Sequence, residues 1–261
     1  MNDRTAETSL KRDSAIFIAG GTGGIGREIA AMSAVDGAIV GVHGSSESSV
    51  AGTIEQLQTR VPGGRFIAVP ADFTEDGSVH AAVARFAQEA GRLDGLVDCS
   101  IPGASNVTGV FRGLDPQMFE PFNSKSIGVL QLLCHAAIPH LAQSGGAIVA
   151  FASDSGRFAA ARQAMVGASR AAIIGFVRNL GMELARDGIR VNCISPSFVV
   201  DTPIFEKFRH ASDLRAQRAA ARAGLGLPSP ADIAPMVLFL LGAGSTKITG
   251  QIISINGGLN A

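Results

Sequence analysis

Residues 15–26 are AIFIA-GGTGGIG, a short apolar run that leads directly into a glycine-rich turn. The run predicts a buried strand, and the helical pattern from Arg27 onward predicts a helix directly after the turn. Glycine lets the backbone turn tightly and approach a pyrophosphate, while the N-terminus of a helix offers free N–H groups to an anion. This order predicts the first βα unit of a dinucleotide-binding fold; a glycine-rich turn without a ligand is the alternative.

Short apolar runs alternate with helical stretches along the rest of the chain. Predicted strands lie at Ala15–Ala19, Ala38–Val42, Arg65–Val69, Gly95–Cys99, Ala147–Ala152, Ile189–Ile194 and Gln251–Ile255. Predicted helices lie near 24–35, 47–60, 75–90, 115–142, 162–186 and 230–241. This alternation is typical of a doubly wound (Rossmann) α/β fold, with a mostly parallel seven-stranded sheet and helices on both faces. We predict one domain over 1–261, with a flexible N-terminal extension at 1–14 and a substrate lid at about 198–229.

The composition excludes several classes of function. The 261 residues include 22 Lys+Arg and 22 Asp+Glu, and this neutral balance argues against a nucleic-acid partner. No apolar run reaches the roughly 18 residues of a membrane-spanning helix. Three scattered cysteines are too few for a disulfide framework or a zinc site, so we expect no metal and a cytoplasmic protein. The chain has no tyrosine and no tryptophan, so no mechanism can use a phenolic acid.

Several motifs resemble those of the short-chain dehydrogenase/reductase (SDR) family. The spacing Gly20-x-x-x-Gly24-Ile25-Gly26 resembles the glycine motif of that family, although Ala19 stands where the family usually has Thr. Asp72, in Ala71-Asp72-Phe73, resembles the Asp after the third strand that contacts adenine. Residues 188–196 and 248–258 resemble the sixth strand and the C-terminal strand with its turn. The resemblance covers nearly the whole chain and implies an NAD(P)(H)-binding oxidoreductase.

The end of the second predicted strand decides between the two nicotinamide cofactors, because a carboxylate there would bind the adenosine ribose and repel a 2′-phosphate. The chain has His43-Gly44-Ser45-Ser46 at this place, and no acid before Glu47. Hydroxyl and N–H groups can bind a phosphate, so NADP(H) is favoured over NAD(H); His43 also fits a solvated loop residue. The candidate cofactor-binding residues are Gly20, Thr22, Gly24, Ile25, Gly26, His43, Ser45, Ser46, Asp72, Phe73, Ser100, Arg170 and Thr202.

The catalytic positions depart from the family. The resemblance implies a Tyr that exchanges the substrate proton, a Lys four residues later, a Ser that orients the substrate oxygen, and an Asn on the preceding long helix. Ser153 occupies the Ser place, but Val166 occupies the Tyr place, Arg170 the Lys place and Lys125 the Asn place. A guanidinium does not release its proton, so Arg170 could hold the nicotinamide ribose or an anionic substrate but cannot act as an acid.

The candidate catalytic residues are therefore Ser153, Lys125 and Arg170, and each has an alternative interpretation. Ser153 either orients the substrate oxygen or only caps a strand end. Lys125 either donates a proton or forms a salt bridge with Asp98 or Asp154. Thr202 resembles the family's Thr near the nicotinamide amide. General acid–base catalysis contributes about 10²–10⁴-fold, so loss of the Tyr and Lys damages the ordinary carbonyl reductase mechanism.

Two functions remain open: an NADP(H)-dependent oxidoreductase of carbonyls and alcohols with an altered acid–base apparatus, or an inactive subunit that supports an active paralogue. A lyase or isomerase is a third idea that no residue favours. The resemblance implies a homotetramer, or a heteromer with a paralogue, built on the helices near 115–142 and 162–186. The expected substrate is a small molecule, either an anion or a carrier-linked acyl group, if the basic lid residues face it; a solvated helix is the alternative. These basic residues are Lys207, Arg209, Arg215, Arg218 and Arg222.

Overall fold

The computed structural model describes residues 10–100, 103–211 and 213–260. The strands are β1 (Ala15–Ala19), β2 (Ile39–Gly44), β3 (Arg65–Pro70), β4 (Gly95–Asp98), β5 (Gly146–Phe151), β6 (Ile189–Pro196) and β7 (Ile252–Ile255). They form one seven-stranded parallel sheet in the order β3-β2-β1-β4-β5-β6-β7. The predicted doubly wound α/β fold is confirmed.

Helices cover both faces of the sheet, as predicted. They are α1 (Gly24–Val35), α2 (Glu47–Arg60), α3 (Ser78–Ala90), α4 (Phe119–Asn123), α5 (Val129–Leu141), α6 (Ala164–Glu183), α7 (Pro203–Ala211), α8 (Asp213–Arg222) and α9 (Pro230–Leu241). The long helix expected over 115–142 is interrupted, because a π-helical turn over Ser124–Gly128 separates α4 from α5. Among the described residues, no helix is long and apolar enough to cross a membrane.

Strand β1 divides the core into two layers, because its successive side chains point to opposite faces of the sheet. Phe17 lies in one layer with Leu133 of α5, and its ring centroid is 5.6 Å from that of Phe86 of α3. Ile16 and Ile18 pack in the other layer, which includes residues of α1 and α9. Burial of both layers fixes the register of β1, so the glycine turn that follows it has a defined position.

The strand order reverses between β1 and β4, which lie side by side although β2 and β3 separate them in the chain. At their carboxyl ends, the backbone N–H of Cys99 donates to the carbonyl of Ala19 over 2.9 Å. In open parallel sheets, ligands bind in the crevice outside such a reversal point. The fold therefore places the residues after β1 and β4 at the edge of a binding crevice.

Two predicted segments have a different character in the structure. Residues 1–9 of the predicted flexible extension lie outside the described residues, but Leu10 is buried and its backbone N–H donates to the Asp36 carboxylate over 3.2 Å. Leu10 therefore contacts the folded body, and the flexibility of the extension stays a prediction. The segment over 198–229 contains α7 and α8, and Ala219 of α8 packs against Leu259 near the C-terminus. Its movement as a lid stays a prediction.

Candidate active site

The glycine turn after β1 is shaped so closely that side chains would not fit. Gly20 has a φ of +74°, and a Cβ on it would lie 2.7 Å from the carbonyl carbon of Cys99. A Cβ on Gly26 would overlap the carbonyl oxygen of Gly20. Gly23 precedes α1 and supplies no side-chain cap, so the first N–H groups of the helix keep their positive end open to an anion. The turn thus fits the pyrophosphate of a dinucleotide.

His43 lies inside β2, not in the loop after it, because the strand continues two residues beyond its predicted end. Its ring is buried, with 4% of its surface exposed. Nδ1 accepts a hydrogen bond from the N–H of Gly20 over 3.0 Å, and Nε2 lies 3.0 Å from the carbonyl oxygen of Ala71. The interpretation of His43 as a solvated loop residue was wrong. Its role at the cofactor site stays a prediction, with both ring nitrogens engaged by the backbone.

The loop between β2 and α2 consists of Ser45 and Ser46, both exposed. The Ser46 hydroxyl accepts from the backbone N–H of Ser49 over 3.3 Å and so caps α2. Thr22 approaches the same loop, because a Cβ on Gly44 would lie 2.6 Å from its methyl carbon. The loop therefore presents hydroxyl groups and no carboxylate before Glu47.

Asp72 and Phe73 follow β3 on the same edge of the sheet. The exposed Asp72 carboxylate accepts from the N–H and the hydroxyl of Thr74, over 2.9 and 2.8 Å. These bonds hold the pKa of Asp72 below its usual value, so the group is ionised at neutral pH. The Phe73 ring stacks on His43 with a centroid separation of 3.8 Å and an angle of 6°. A carboxylate and an aromatic face are suited to the amino group and the ring of adenine.

Thr202 reaches the glycine turn from the segment before α7. A Cβ on Gly24 would lie 3.0 Å from the Thr202 methyl carbon. The hydroxyl of Thr202 donates to the carbonyl of Val199 over 2.8 Å and accepts from the N–H of Phe205 over 3.2 Å. Thr202 therefore lies beside the predicted site, with its hydroxyl engaged at the start of α7.

Ser153 follows β5 and is half-buried at the start of a short 3₁₀ turn. Its hydroxyl is 3.5 Å from the N–H of Ser155, a weak cap that leaves it free for a stronger partner. The next residue, Asp154, is buried, and its carboxylate joins the turn to the C-terminal part of the chain. It accepts hydrogen bonds from Ser195, Ser254, Asn256 and Asn260. Asp154 is thus a structural anchor, which the sequence did not reveal because its partners are remote in the chain.

Val166 lies in a small apolar cluster of its own. Its buried neighbours are Val107 and Phe122, and Met165 packs against the same cluster. At the position where the family has its Tyr, this chain therefore presents hydrocarbon, and no proton donor replaces the Tyr there.

Arg170 is buried one helical turn after Val166, with 3% of its surface exposed. Its Nη1 donates to the Ser126 hydroxyl over 2.7 Å, and the Ser169 hydroxyl donates to the same oxygen over 2.7 Å. Burial lowers the pKa of Arg170, and the nearby carboxyl of Asp98 opposes this shift. The guanidinium stays protonated and forms a permanent buried cation.

Asp98 is the last residue of β4, and its carboxyl is the acidic group whose charge acts on Arg170. Burial raises the pKa of Asp98, whereas two hydrogen bonds from Ser100 and the charge of Arg170 lower it. Ser100, a predicted cofactor-binding residue, thus uses its N–H and its hydroxyl on Asp98. Both groups would have to exchange partners to reach a cofactor.

Lys125 is exposed and does not enter the polar cluster around Arg170. It lines a surface cavity of about 780 Å³ together with Phe73 and Thr74. Within the described part of the chain, no salt bridge joins Lys125 to Asp98 or Asp154, and the carboxylate that senses its charge is Asp72. The salt-bridge interpretation of Lys125 was wrong, and its role as a proton donor stays a prediction. The π-helical turn directs Ser126 inward instead, and the sequence offers no signal to choose between these neighbours.

The basic residues of the segment over 198–229 are on the surface. Arg209 donates to the Glu206 carboxylate over 2.7 Å, while Lys207, Arg218 and Arg222 are exposed. The side chain of Arg215 lies outside the described part of the structure. This arrangement agrees with a solvated helix and leaves a role toward anions as a prediction.

Comparisons with known proteins agree with this fold. Residues 19–260 match the family model described as enoyl-(acyl carrier protein) reductase. The short-chain reductase protein NovJ of Streptomyces niveus is 29% identical over 262 residues, with 98% of this chain and 97% of the relative covered. The 3-oxoacyl-[acyl-carrier-protein] reductase FabG of Chlamydia muridarum is 30% identical over 253 residues, with 96% and 99% covered.

A solved structure shares the fold over almost its whole length. The 7α-hydroxysteroid dehydrogenase complexed with NADH and 7-oxo glycochenodeoxycholic acid superposes with a TM-score of 0.89 at 24% identity, covering 97% of this chain and 96% of that one. The chain belongs to the short-chain dehydrogenase/reductase family of oxidoreductases.

Proposed function

We propose that this protein binds NADP(H) in the crevice after β1 and β4 and acts as an oxidoreductase of carbonyls and alcohols with an altered proton-transfer apparatus. The observation that carries the proposal is the glycine turn. Gly20 and Gly26 leave no room for a Cβ, and α1, which follows the turn, begins without a side-chain cap. A turn this tight, without a side-chain cap, is the arrangement that a pyrophosphate requires.

The preference for NADP(H) rests on the exposed hydroxyl groups of Ser45 and Ser46. A 2′-phosphate would meet these hydroxyls and the N-terminal end of α2, with Glu47 as the first acid. The 7α-hydroxysteroid dehydrogenase with the same fold holds NADH, so the fold alone does not decide the cofactor.

The residues of this crevice would share substrate orientation and proton transfer differently from a Tyr and Lys pair. When bound, the cofactor supplies or accepts a hydride at its nicotinamide ring. Ser153 can orient a substrate oxygen, and Arg170 provides a fixed positive charge near the crevice. Neither Val166 nor Arg170 can deliver a proton, so the proton comes from water or through the Ser153 hydroxyl. Such a site favours slow turnover, because it lacks a tuned acid.

A titration of the protein with NADPH and NADH, read by nicotinamide fluorescence, tests the proposal. Gly26→Ala should remove binding, because the new methyl group overlaps the Gly20 carbonyl. Gly52→Ala is the matched control: a Cβ there meets nothing within 4 Å, so binding should stay unchanged. A wild-type protein that binds neither cofactor at millimolar concentration would contradict the proposal.

A non-catalytic subunit is the competing function, and the apolar surroundings of Val166 favour it. Such a subunit would keep the cofactor site and join an active paralogue through its long helices. The relatives include an acyl-carrier-protein reductase, so the carbonyl panel should contain 3-oxoacyl thioesters as well as simple ketones. Cofactor binding without turnover on this panel would support the subunit, and turnover would support the enzyme.

We also propose that the chain assembles as a homotetramer when no paralogue is present. Small residues, among them Ala171, Ala172 and Gly175, lie on the exposed side of α6 and allow close helix packing. Light scattering at micromolar concentration tests this proposal, and a monomer mass would contradict it. A monomer that gains mass only with a paralogue would instead indicate the heteromer.

A further inference from the structure

Three segments that border the proposed cofactor site meet at one buried ring. The N–H of Gly20, in the glycine turn, points at Nδ1 of His43, and the carbonyl of Ala71 lies at Nε2, each over 3.0 Å. The Phe73 ring lies flat against the imidazole at 3.8 Å. The ring of Phe17, in the core, also lies next to His43, with ring centroids 6.3 Å apart.

The hydrogen bonds define the protonation state of the ring. A backbone N–H can only donate, so Nδ1 must carry a lone pair. A carbonyl oxygen can only accept, so Nε2 must carry the hydrogen. The imidazole is therefore neutral, in the Nε2–H tautomer. The protonated ring would turn a donor toward the Gly20 N–H and break that bond.

We infer that His43 is a positioning residue of the dinucleotide site, which sets the glycine turn and the adenine-facing Phe73 relative to each other without touching the cofactor. This inference rests on the proposed function, since it assumes that a dinucleotide occupies the crevice. The ring acts on both sides of the adenosine half of the cofactor. Its hydrogen bond to Gly20 holds the glycine turn that precedes α1, and its stacking contact supports Phe73 beside Asp72.

No other side chain of similar size can do this work. A neutral imidazole offers one acceptor and one donor on opposite sides of a flat, rigid ring, and the ring face also stacks on an aromatic residue. Phenylalanine keeps the stacking but loses both hydrogen bonds, which leaves the N–H of Gly20 and the carbonyl of Ala71 without this partner. The charged side chain that acts on His43 is Asp72, and its carboxylate is exposed.

The first test is made on the wild-type protein and does not depend on a variant that folds. Nitrogen-15 NMR of the labelled histidines at pH 7 should show one ring with a pyridine-like Nδ1 and a pyrrole-like Nε2. Its Nδ1 should couple to the Gly20 amide. A His43 ring that is protonated, or that carries its hydrogen on Nδ1, would overturn the inference.

The second test measures binding to His43→Phe, with His140→Phe at the end of α5 as the control. The ligands are NADPH and 2′,5′-ADP, which contains only the adenosine half of the cofactor. His43→Phe should raise the Kd of both by about tenfold or more, because the turn and Phe73 lose their common support. The binding is measured well below the melting temperature of each variant, so that lower stability alone leaves Kd unchanged.

The outcomes separate the two proposals. If the wild-type protein binds NADPH and His43→Phe binds it equally well, the positioning role is wrong and the proposed function stands. If the wild-type protein binds neither cofactor, the proposed function fails, and the role of His43 at a dinucleotide site fails with it. Weaker binding by His43→Phe with unchanged binding by His140→Phe supports the inference.

Discussion

The guanidinium of Arg170 donates a hydrogen bond to the Ser126 hydroxyl over 2.7 Å, within a buried polar cluster. Ser126 stands in a π-helical turn, a geometry that often marks functional sites because it redirects one side chain. The bond fixes the permanent charge of Arg170 at the position where the resembled family has a Lys. Four consequences of this cluster and of the proposed cofactor site can be measured.

Replacing Arg170 should reveal its electrostatic coupling to Asp98. Arg170→Met removes a buried cation and leaves Ser126 and Asp98 with less compensation, so we expect a loss of about 1–3 kcal/mol in the free energy of unfolding. Asp98→Asn removes the carboxylate charge that Arg170→Met leaves without a counter-ion. The double variant should therefore lose at least about 0.5 kcal/mol less than the sum of the two single changes. Urea unfolding at pH 7 measures all four proteins, and additive losses would rule out the coupling.

Restoring the family pair should create or raise carbonyl reductase activity. In Val166→Tyr with Arg170→Lys, the two side chains lie one helical turn apart on the same face, and the Lys charge favours the phenolate. We expect a gain in kcat of roughly 10²-fold or more on a reducible ketone. The larger ring must displace Phe122 or Val107, at a cost of about 1–3 kcal/mol in stability.

The matched control for this design is Val166→Phe with Arg170→Lys, which adds the same ring without the hydroxyl. It should show the same loss of stability and no gain in kcat. If the Tyr-containing variant folds, binds NADPH and reduces no ketone of the panel, the crevice no longer has the family geometry. Loss of a native activity in the same variant would show that Val166 and Arg170 serve another reaction.

An acid at the end of β2 should change the cofactor preference. Ser45 is exposed at the loop where a 2′-phosphate would lie, so Ser45→Asp places a negative charge against that phosphate. We expect the ratio of the NADPH and NADH dissociation constants to move at least tenfold toward NADH, or about 1.4 kcal/mol. Ser48→Asp adds the same charge further along α2 and should shift the ratio less. Equal shifts would indicate a long-range charge effect.

The fold was predictable because the burial pattern repeats in every βα unit. Each strand was located to within two residues at either end, and α1, α2 and α9 have their predicted bounds. The glycine turn was equally predictable, since so tight a turn requires glycines at fixed positions in the sequence. The error at β2 is instructive: a buried His whose hydrogen-bond partners are remote in the chain looks like a loop residue in the sequence.

The polar cluster was less predictable, since it depends on contacts between distant elements. Lys125 and Ser126 are neighbours in a polar stretch, and the extra residue in the π-helical turn decides which of them faces Arg170. Helical periodicity contains no information about such an insertion. For the same reason, the anchor at Asp154 could not be foreseen, because its partners come from β6, β7 and the C-terminal turn.

The burial of His43 should make the stability of the protein depend on pH in a defined window. Burial lowers the pKa of His43 from 6.5 to about 4 in the folded protein. As the pH falls below 6.5, the unfolded chain gains a proton at His43 that the folded protein does not gain until about pH 4. The free energy of unfolding should therefore fall between these two values, by about 3 kcal/mol from this residue, and this contribution should be constant outside them.

The difference between wild-type protein and His43→Phe isolates this effect, because Asp72, Glu28 and Asp232, whose pKa values are lowered by their hydrogen bonds, contribute to both proteins. Urea unfolding of the two proteins at intervals between pH 7 and pH 4 supplies the comparison. The wild-type protein should lose its advantage over the variant as the solution is acidified, since only the wild-type unfolded state gains the additional proton. Parallel curves over this range would mean that the imidazole titrates normally in the folded protein. The interpretation of His43 as a buried, neutral ring would then be wrong.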